Sequence, residues 1–221
     1  ESLGTIYNTV RYSGKHTGTI GLLGCLSFNG NKIITAGGGG MILTDDKELA
    51  DNARYLTTQA KNDTVRYISN EIGYNFRLTN IQAALGVAQL EQLSGFISSK
   101  HNIFEQYQAL LASIDGITIA NVPDYANNNH WLNVLQIDSK IFGQDWEKLM
   151  TKLSTDGIQT RPVWMLNHLQ KPYKKFQNYQ INQANYLYKI SLCIPSSAGL
   201  TKGEINQIIN KIGNHKVLKK S

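Results

Sequence analysis

Four consecutive glycines, Gly37 to Gly40, lie between two strand-length, mostly apolar runs, Leu22 to Phe28 and Met41 to Thr44. Such a run has no side chains to pack and the most backbone freedom to lose, so it suits neither a helix interior nor a strand interior. It suits backbone packed close against other backbone. Among phosphate-cradling loops, the Rossmann and P-loop kinds are excluded, because the spacing is not G-x-G-x-x-G and no Gly-Lys-Ser/Thr follows. Two short strands joined by a loop, Asn29-Gly30-Asn31-Lys32-Ile33-Ile34-Thr35-Ala36, therefore anchor the reading of the first ninety or so residues.

Around this anchor the chain alternates strands and helices, as in an α/β fold. Asp45-Asp46 supplies an N-cap for a helix carrying Leu49, Ala53 and Leu56 on one face. Thr79 with Gln82 forms a capping box and opens a helix whose expected inner stripe is Ile81, Leu85 and Ala88. From about Ser94 the texture changes. A helix through Ile103, Tyr107, Leu110 and Leu111 leads to strand-like Gly116 to Ala120 and His130 to Ile137. Trp146, Leu149, Met150 and Leu153 recur at helical spacing, Gly157 stands at the expected C′ position, and a strand is expected over Ile158 to Trp164. A second capping box, Thr201 with Glu204, opens a closing helix bearing Ile205, Ile208, Ile209 and Ile212. The expected organisation is one domain over residues 1–93 and a smaller α+β domain over 94–221.

Charge narrows the partners. The net charge of +6 invites a nucleic-acid reading, but the basic residues are scattered apart from the tail Lys211, His215, Lys216, Lys219 and Lys220, and no nucleic-acid-binding signature accompanies them. A frayed, solvated C-terminus accounts for that tail, so no nucleic-acid partner is expected. No apolar run approaches the ~18 residues of a membrane span, and no basic-then-apolar leader is present. The two cysteines, Cys25 and Cys193, have no metal-ligand spacing, and each lies in an apolar run. Buried, reduced thiols in a cytoplasmic protein, without a metal site, are the expectation.

Lys32 is the residue with the most chemical content. A lysine just after a buried strand is costly to desolvate, and desolvation makes its amine nucleophilic towards carbonyls. On spacing alone, a loop lysine pointing to water is the simpler reading.

Three segments then point to a known family. Gly24 to Asp46 (Gly-Cys-Leu-Ser-Phe-Asn-Gly-Asn-Lys-Ile-Ile-Thr-Ala-Gly-Gly-Gly-Gly-Met-Ile-Leu-Thr-Asp-Asp) resembles the active-site lysine segment of the DegT/DnrJ/EryC1/StrS family of pyridoxal-phosphate-dependent nucleotide-sugar aminotransferases. Glu71 to Ala84 (Glu-Ile-Gly-Tyr-Asn-Phe-Arg-Leu-Thr-Asn-Ile-Gln-Ala-Ala) is a second match. Thr160-Arg161-Pro162-Val163-Trp164, with His168 and Pro172-Tyr173 following, is a third. They occur in the family's order and cover nearly the whole chain.

The resemblance implies a fold-type I, aspartate-aminotransferase-like architecture: the C-terminal part of the large cofactor domain followed by the small domain. It implies that Lys32 bonds the aldehyde of pyridoxal 5′-phosphate and that Ser27 binds the cofactor phosphate. Asn75 would reach the phosphate in a neighbouring subunit's site, which makes a homodimer with shared active sites necessary. His130, Arg161 and His168 fall where the family's substrate-facing segments lie; structural histidines at 130 and 168, a plain strand hydroxyl at Ser27, and core tryptophans at 131, 146 and 164 remain the plain alternatives.

The implied reaction moves an amino group from L-glutamate to a nucleotide-linked 4-keto-6-deoxy sugar, for surface polysaccharide or glycoconjugate. Family members that are dehydratases carry histidine in place of the lysine, and Lys32 argues against that activity. Glu1-Ser2-Leu3-Gly4 resembles the end of the family's Asp-Ala-Ala-Glu/Gln motif, which would put the aspartate for the cofactor's ring nitrogen just before residue 1. The alternative reading is therefore a non-catalytic remnant or oligomerisation module. Two departures from the family pattern, an insertion at Asn8 to Tyr12 and Ala36 where threonine is common, leave the lysine untouched.

Overall fold

A computed structural model describes residues 1–63 and 65–217. In chain order the elements begin with strands β1 (Ile6–Tyr7), β2 (Gly24–Ser27) and β3 (Gly40–Leu43), and helix α1 (Lys47–Thr57). Strands β4 (Lys61–Asp63) and β5 (Ile68–Ser69) and helices α2 (Asn80–Glu91) and α3 (Leu93–Leu111) follow. Next come β6 (Ile117–Ile119), β7 (Ala126–Asn127), β8 (Asn133–Ile137), α4 (Ser139–Phe142), α5 (Trp146–Thr155) and β9 (Arg161–Pro162). After a 3-10 turn at Asn167–Leu169 the chain closes with α6 (Asn182–Ile190), β10 (Ser191–Ile194) and α7 (Lys202–Asn214). The chain divides into two compact units, Glu1–Ile97 with Pro123–Trp131, and Ser98–Val122 with Leu132–Ser221. The division is not a single cut, because a segment between β6 and β8 belongs with the first unit.

In the first unit β2 and β3 pair antiparallel from Gly24↔Leu43 to Ser27↔Gly40, and the connection between them is the lysine loop. The glycine run behaves as its composition demands. Gly37 and Gly39 take the left-handed conformation at φ +79, and a Cβ at Gly40 would meet the Leu26 carbonyl oxygen at 2.4 Å. Asp46 caps α1 by accepting the Leu49 N–H, and the Thr79–Gln82 box caps α2. The unit's core is small: Phe28, Ile34 and Ala36 are buried, with Leu3, Leu26, Ile33, Leu93 and Phe96 packed against them.

Two expectations fail here for one reason. The stripe expected to face inward on α2 is exposed, with Ile81 84% accessible and Leu85 and Ala88 also open. Cys25 is exposed rather than buried. α2 has no buried residue, and among the described residues β2 has a strand partner on one side only, so apolar pattern here outruns the surface available to cover it.

The second unit is built differently. Its sheet has the order β6-β8-β10-β9 with every neighbouring pair antiparallel. β8 alternates, burying Asn133, Leu135 and Ile137, while β10, paired on both sides, is buried at all four residues. The strand expected over Ile158 to Trp164 contracts to Arg161–Pro162, as fits a proline, which lacks a ladder donor and is confined to sheet edges. Ile205, Ile208, Ile209 and Ile212 of α7 and Leu149 and Leu153 of α5 are buried as the helical spacing predicts. They join one cluster with Ile103, Tyr107 and Leu111 of α3.

Three side chains of α3 also hold the loop after β10. Ser99 Oγ donates to the Ala198 carbonyl at 2.5 Å, Lys100 Nζ to the Ser196 carbonyl at 2.5 Å, and Tyr107 Oη to the Pro195 carbonyl at 3.0 Å. The basic tail is not frayed where it is described: Lys211 and His215 both meet Asp156, and Lys216 pairs with Asp115. Lys219 and Lys220 lie outside the described residues.

Candidate active site

The loop between β2 and β3 is closed by backbone before any side chain acts. Phe28 N–H donates to the Gly39 carbonyl and Ala36 N–H to the Phe28 carbonyl, each at 3.0 Å. Thr35 Oγ1 donates to the same Phe28 carbonyl, and Ile34 and Ala36, both 2% exposed, fix the far side of the loop in the small core. Lys32 is thus carried on a stapled turn, with its own N–H bonded to the Asn29 carbonyl at 3.0 Å.

Its side chain does not point to water. It is only 13% exposed, with Nζ 2.7 Å from Glu1 Oε1 and 4.1 Å from the centroid of the Trp131 ring. Spacing alone favours the solvated lysine; the structure overturns that reading because partners from residues 1 and 131 close over the amine.

Ser27 ends β2 at the root of the same loop, half-buried, and its Oγ accepts the Asn29 N–H at 3.5 Å. The hydroxyl and the amine therefore flank one turn. Asn75 is held elsewhere in the unit by backbone alone. Its neighbour Tyr74 donates to the Leu56 carbonyl at 2.7 Å and accepts from Gln59 N–H, Phe76 donates to the Thr57 carbonyl, and Asn75 itself bridges Thr58. Gly73 makes this approach possible, since a Cβ there would sit 2.3 Å from the Ala60 nitrogen. The Asn75 side chain is exposed, and the rings of its two neighbours, Tyr74 and Phe76, stack on each other.

His130 is in the first unit, half-buried at φ 45, its N–H donating to Asn128 Oδ1. Arg161 and His168 are in the second unit: Arg161 is exposed on β9 beside Cys193, and His168 is half-buried in the 3-10 turn. Ser27, Lys32 and His130 thus share a unit with Asn75, while Arg161 and His168 share the other.

Sequence reasoning gave the amine no partners: Glu1 there only ends a motif, Trp131 is only a core tryptophan, and Asn129 is not singled out. Asn129 is 3% exposed. It donates through Nδ2 to the carbonyls of Glu1 and Leu3, through N–H to Thr5 Oγ1, and accepts the Trp131 N–H. The available signal was the Asn127-Asn128-Asn129 run, since asparagine at the mouth of a strand commonly satisfies backbone groups.

Known proteins resemble the chain over nearly its whole length. The sequence profile of the DegT/DnrJ/EryC1/StrS aminotransferase family matches residues 3–213. The Bacillus subtilis protein named "Putative pyridoxal phosphate-dependent aminotransferase EpsN" is 37% identical over 95% of this chain and 53% of its own length. The GDP-perosamine synthase of Caulobacter vibrioides is 33% identical over 90% of this chain and 53% of its own. The chain spans about half the length of these relatives. Among solved structures, the aminotransferase TlmJ of Streptoalloteichus hindustanus superposes with a TM-score of 0.85 at 22% identity, over 96% of this chain and 56% of that one. The fold is that of the fold-type I pyridoxal-phosphate transferases.

Proposed function

The chain belongs to the DegT/DnrJ/EryC1/StrS aminotransferase family, and on that premise we propose that the protein moves an amino group from an amino-acid donor, L-glutamate, to a nucleotide-linked 4-keto-6-deoxy sugar. Pyridoxal 5′-phosphate is the cofactor, and the product serves surface polysaccharide or glycoconjugate synthesis in the cytoplasm. The observation that carries the reading is Lys32, an amine withdrawn from water on a backbone-stapled turn.

The residues present fit the cofactor by their chemistry. Lys32 offers the amine that an aldehyde requires, and Ser27, at the root of the same turn, offers a hydroxyl to a phosphate oxygen. When bound, the cofactor supplies the electron sink that lets a C–H bond beside nitrogen break. The chain supplies the proton handling: Lys32 Nζ, once neutral, accepts the proton from the donor's α-carbon and delivers it again. Arg161 offers a guanidinium fork to a carboxylate or phosphate, and the imidazoles of His130 and His168 each offer a hydrogen-bonding group suited to a sugar nucleotide.

Asn75 reaches the cofactor phosphate in a second subunit, and its exposed, rigidly presented side chain supports that role. The many exposed large apolar residues of the same unit, among them Ile72, Phe76, Ile81 and Val87, support a homodimer, because apolar side chains left open in such number call for a partner surface. The relatives support the substrate class, one of them being a GDP-perosamine synthase. A second reading, that residues 1–221 by themselves form a non-catalytic module, is favoured by the first unit's small core, three buried residues among those described.

Absorption spectra with pyridoxal phosphate separate the two readings, recorded for residues 1–221 and for the intact protein, each beside Lys32→Ala. The expected result is a Lys32-dependent band in the intact protein, with borohydride reduction and peptide mapping locating the pyridoxyl group on Lys32. A pyridoxyl group on another lysine, or no band in either protein, overturns the aminotransferase reading.

A further inference from the structure

Trp131 is tied to the lysine loop at one edge and presents its face to the lysine itself. Indole Nε1 donates to the carbonyl of Asn31, the residue just before Lys32, at 2.7 Å. The ammonium of Lys32 lies 4.1 Å from the ring centroid, a distance at which the ring quadrupole attracts a cation. Behind the ring, Asn129 uses both side-chain donors and its acceptor to pin the Trp131 backbone to residues 1–3. Lys32, Asn31, Asn129 and Trp131 all belong to the first unit. The ring is thus located independently of the long, flexible lysine side chain that rests on it.

We propose that Trp131 is a positioning residue: its indole face is the seat of the Lys32 amine whenever that amine is not bonded to the cofactor. The relevance of the seat to catalysis rests on the reading of Lys32 as the cofactor-bonding amine; the seat itself does not. A lysine that leaves and regains a bond in each catalytic cycle has many rotamers to wander through, and immobilising such a chain costs entropy. A face that holds the ammonium beside its own loop shortens that search. Glu1 completes the seat from the other side, 2.7 Å from Nζ.

The test uses the intact protein stripped of cofactor. Reductive methylation with ¹³C-formaldehyde turns each lysine into a dimethylammonium that remains cationic and gives its own NMR signal, and Lys32→Arg identifies the signal of Lys32. The expected signal lies upfield of the other lysines through the ring current of Trp131, stays upfield in Trp131→Phe, and returns to the common position in Trp131→Met. A Lys32 signal at the common position in the unaltered protein overturns the proposal whether or not the variants fold, as does an upfield signal that Trp131→Met leaves in place.

A second measurement follows pyridoxal phosphate capture by stopped-flow absorbance. Trp131→Met is expected to slow capture by about 3- to 30-fold, the range a partly desolvated cation–π contact commands, with Trp131→Phe near the unaltered rate. Capture unaffected by Trp131→Met overturns the positioning role alone. Capture that survives Lys32→Ala overturns the reading of Lys32 instead.

Discussion

The second unit closes a core of seventeen buried residues from α3, three strands and several helices, whereas the first, which carries Lys32, closes a core of three among the described residues. The two are comparable in chain length and differ in what their apolar residues find to touch. In the second unit helical and strand periodicities converge on one volume, and each fully buried leucine or isoleucine contributes about 1.5–3 kcal/mol. In the first, Ile81, Val87 and Leu90 of α2 and Met41 and Ile42 of β3 stay open. Stability is concentrated in one unit and the shielded Lys32 amine in the other. The amine's surroundings are ordered by backbone hydrogen bonds and a few polar clamps rather than by bulk burial.

The largest effect that would sharpen this contrast concerns the open face of the first unit. Intact protein carrying Lys32→Ala and intact protein carrying Asn75→Ala should each be inactive. Refolded together they should recover about a quarter of the unaltered activity, because half the dimers are mixed and one of their two sites is whole. A mixture that stays inactive breaks the shared-site reading.

Next in size is Leu153→Ala, at a residue of α5 with no exposure. It should cost about 2–5 kcal/mol in denaturant unfolding of the second unit. A loss below about 1 kcal/mol would mean that the core collapses around the gap, and the contrast between the units would weaken.

A pH series gives the third. Burial lowers the Lys100 ammonium from its ordinary value to about 8, while the unfolded chain holds that proton to about 10.4. Between these values the unfolded state binds more protons, so stability of the second unit rises with pH, by up to about 3 kcal/mol in total. The Cys193 thiol from about pH 8.5 and the Tyr107 phenol above about pH 10, both buried in this unit and both pushed up by burial, oppose part of the rise. Lys100→Met should abolish the rise in thermal unfolding measured from about pH 8 to about pH 10, inside the window between the two values; an unchanged slope would reassign it.

The smallest is Gly39→Ala, at φ +79, where an added methyl would lie 2.4 Å from Leu78 Cδ2. It should cost about 1–2 kcal/mol through left-handed strain, read as faster hydrogen exchange confined to the first unit.

What the sequence made legible follows the same division. Caps are local chemistry, so Asp46, the Thr79 box, the Thr201 box and Gly157 stand where their residue types predict. The buried faces of α5 and α7 are also legible, since their partners lie in the same chain. The stripe on α2 misleads because periodicity reports an apolar face and not what covers it. β10 shows only as an apolar run around Cys193, too short and too uniform to carry a period. Around the site, Lys32 and its loop are legible from the motif. The partners of its amine are not, since Glu1 and Trp131 approach from 31 and 99 residues away and no local pattern encodes such a meeting.

The segment Pro123–Trp131 leaves the second unit's chain between β6 and β8 and belongs with the first. Anyone grafting a foreign second unit onto this first unit faces a consequence: a chimera joined only at Ile97 inherits the donor protein's version of residues 123–131. It thereby replaces the indole beside Lys32 and the asparagine that clamps residues 1 and 3. The transplantable module has two seams rather than one, and a recombination library that respects both retains the lysine's surroundings while its second unit is exchanged.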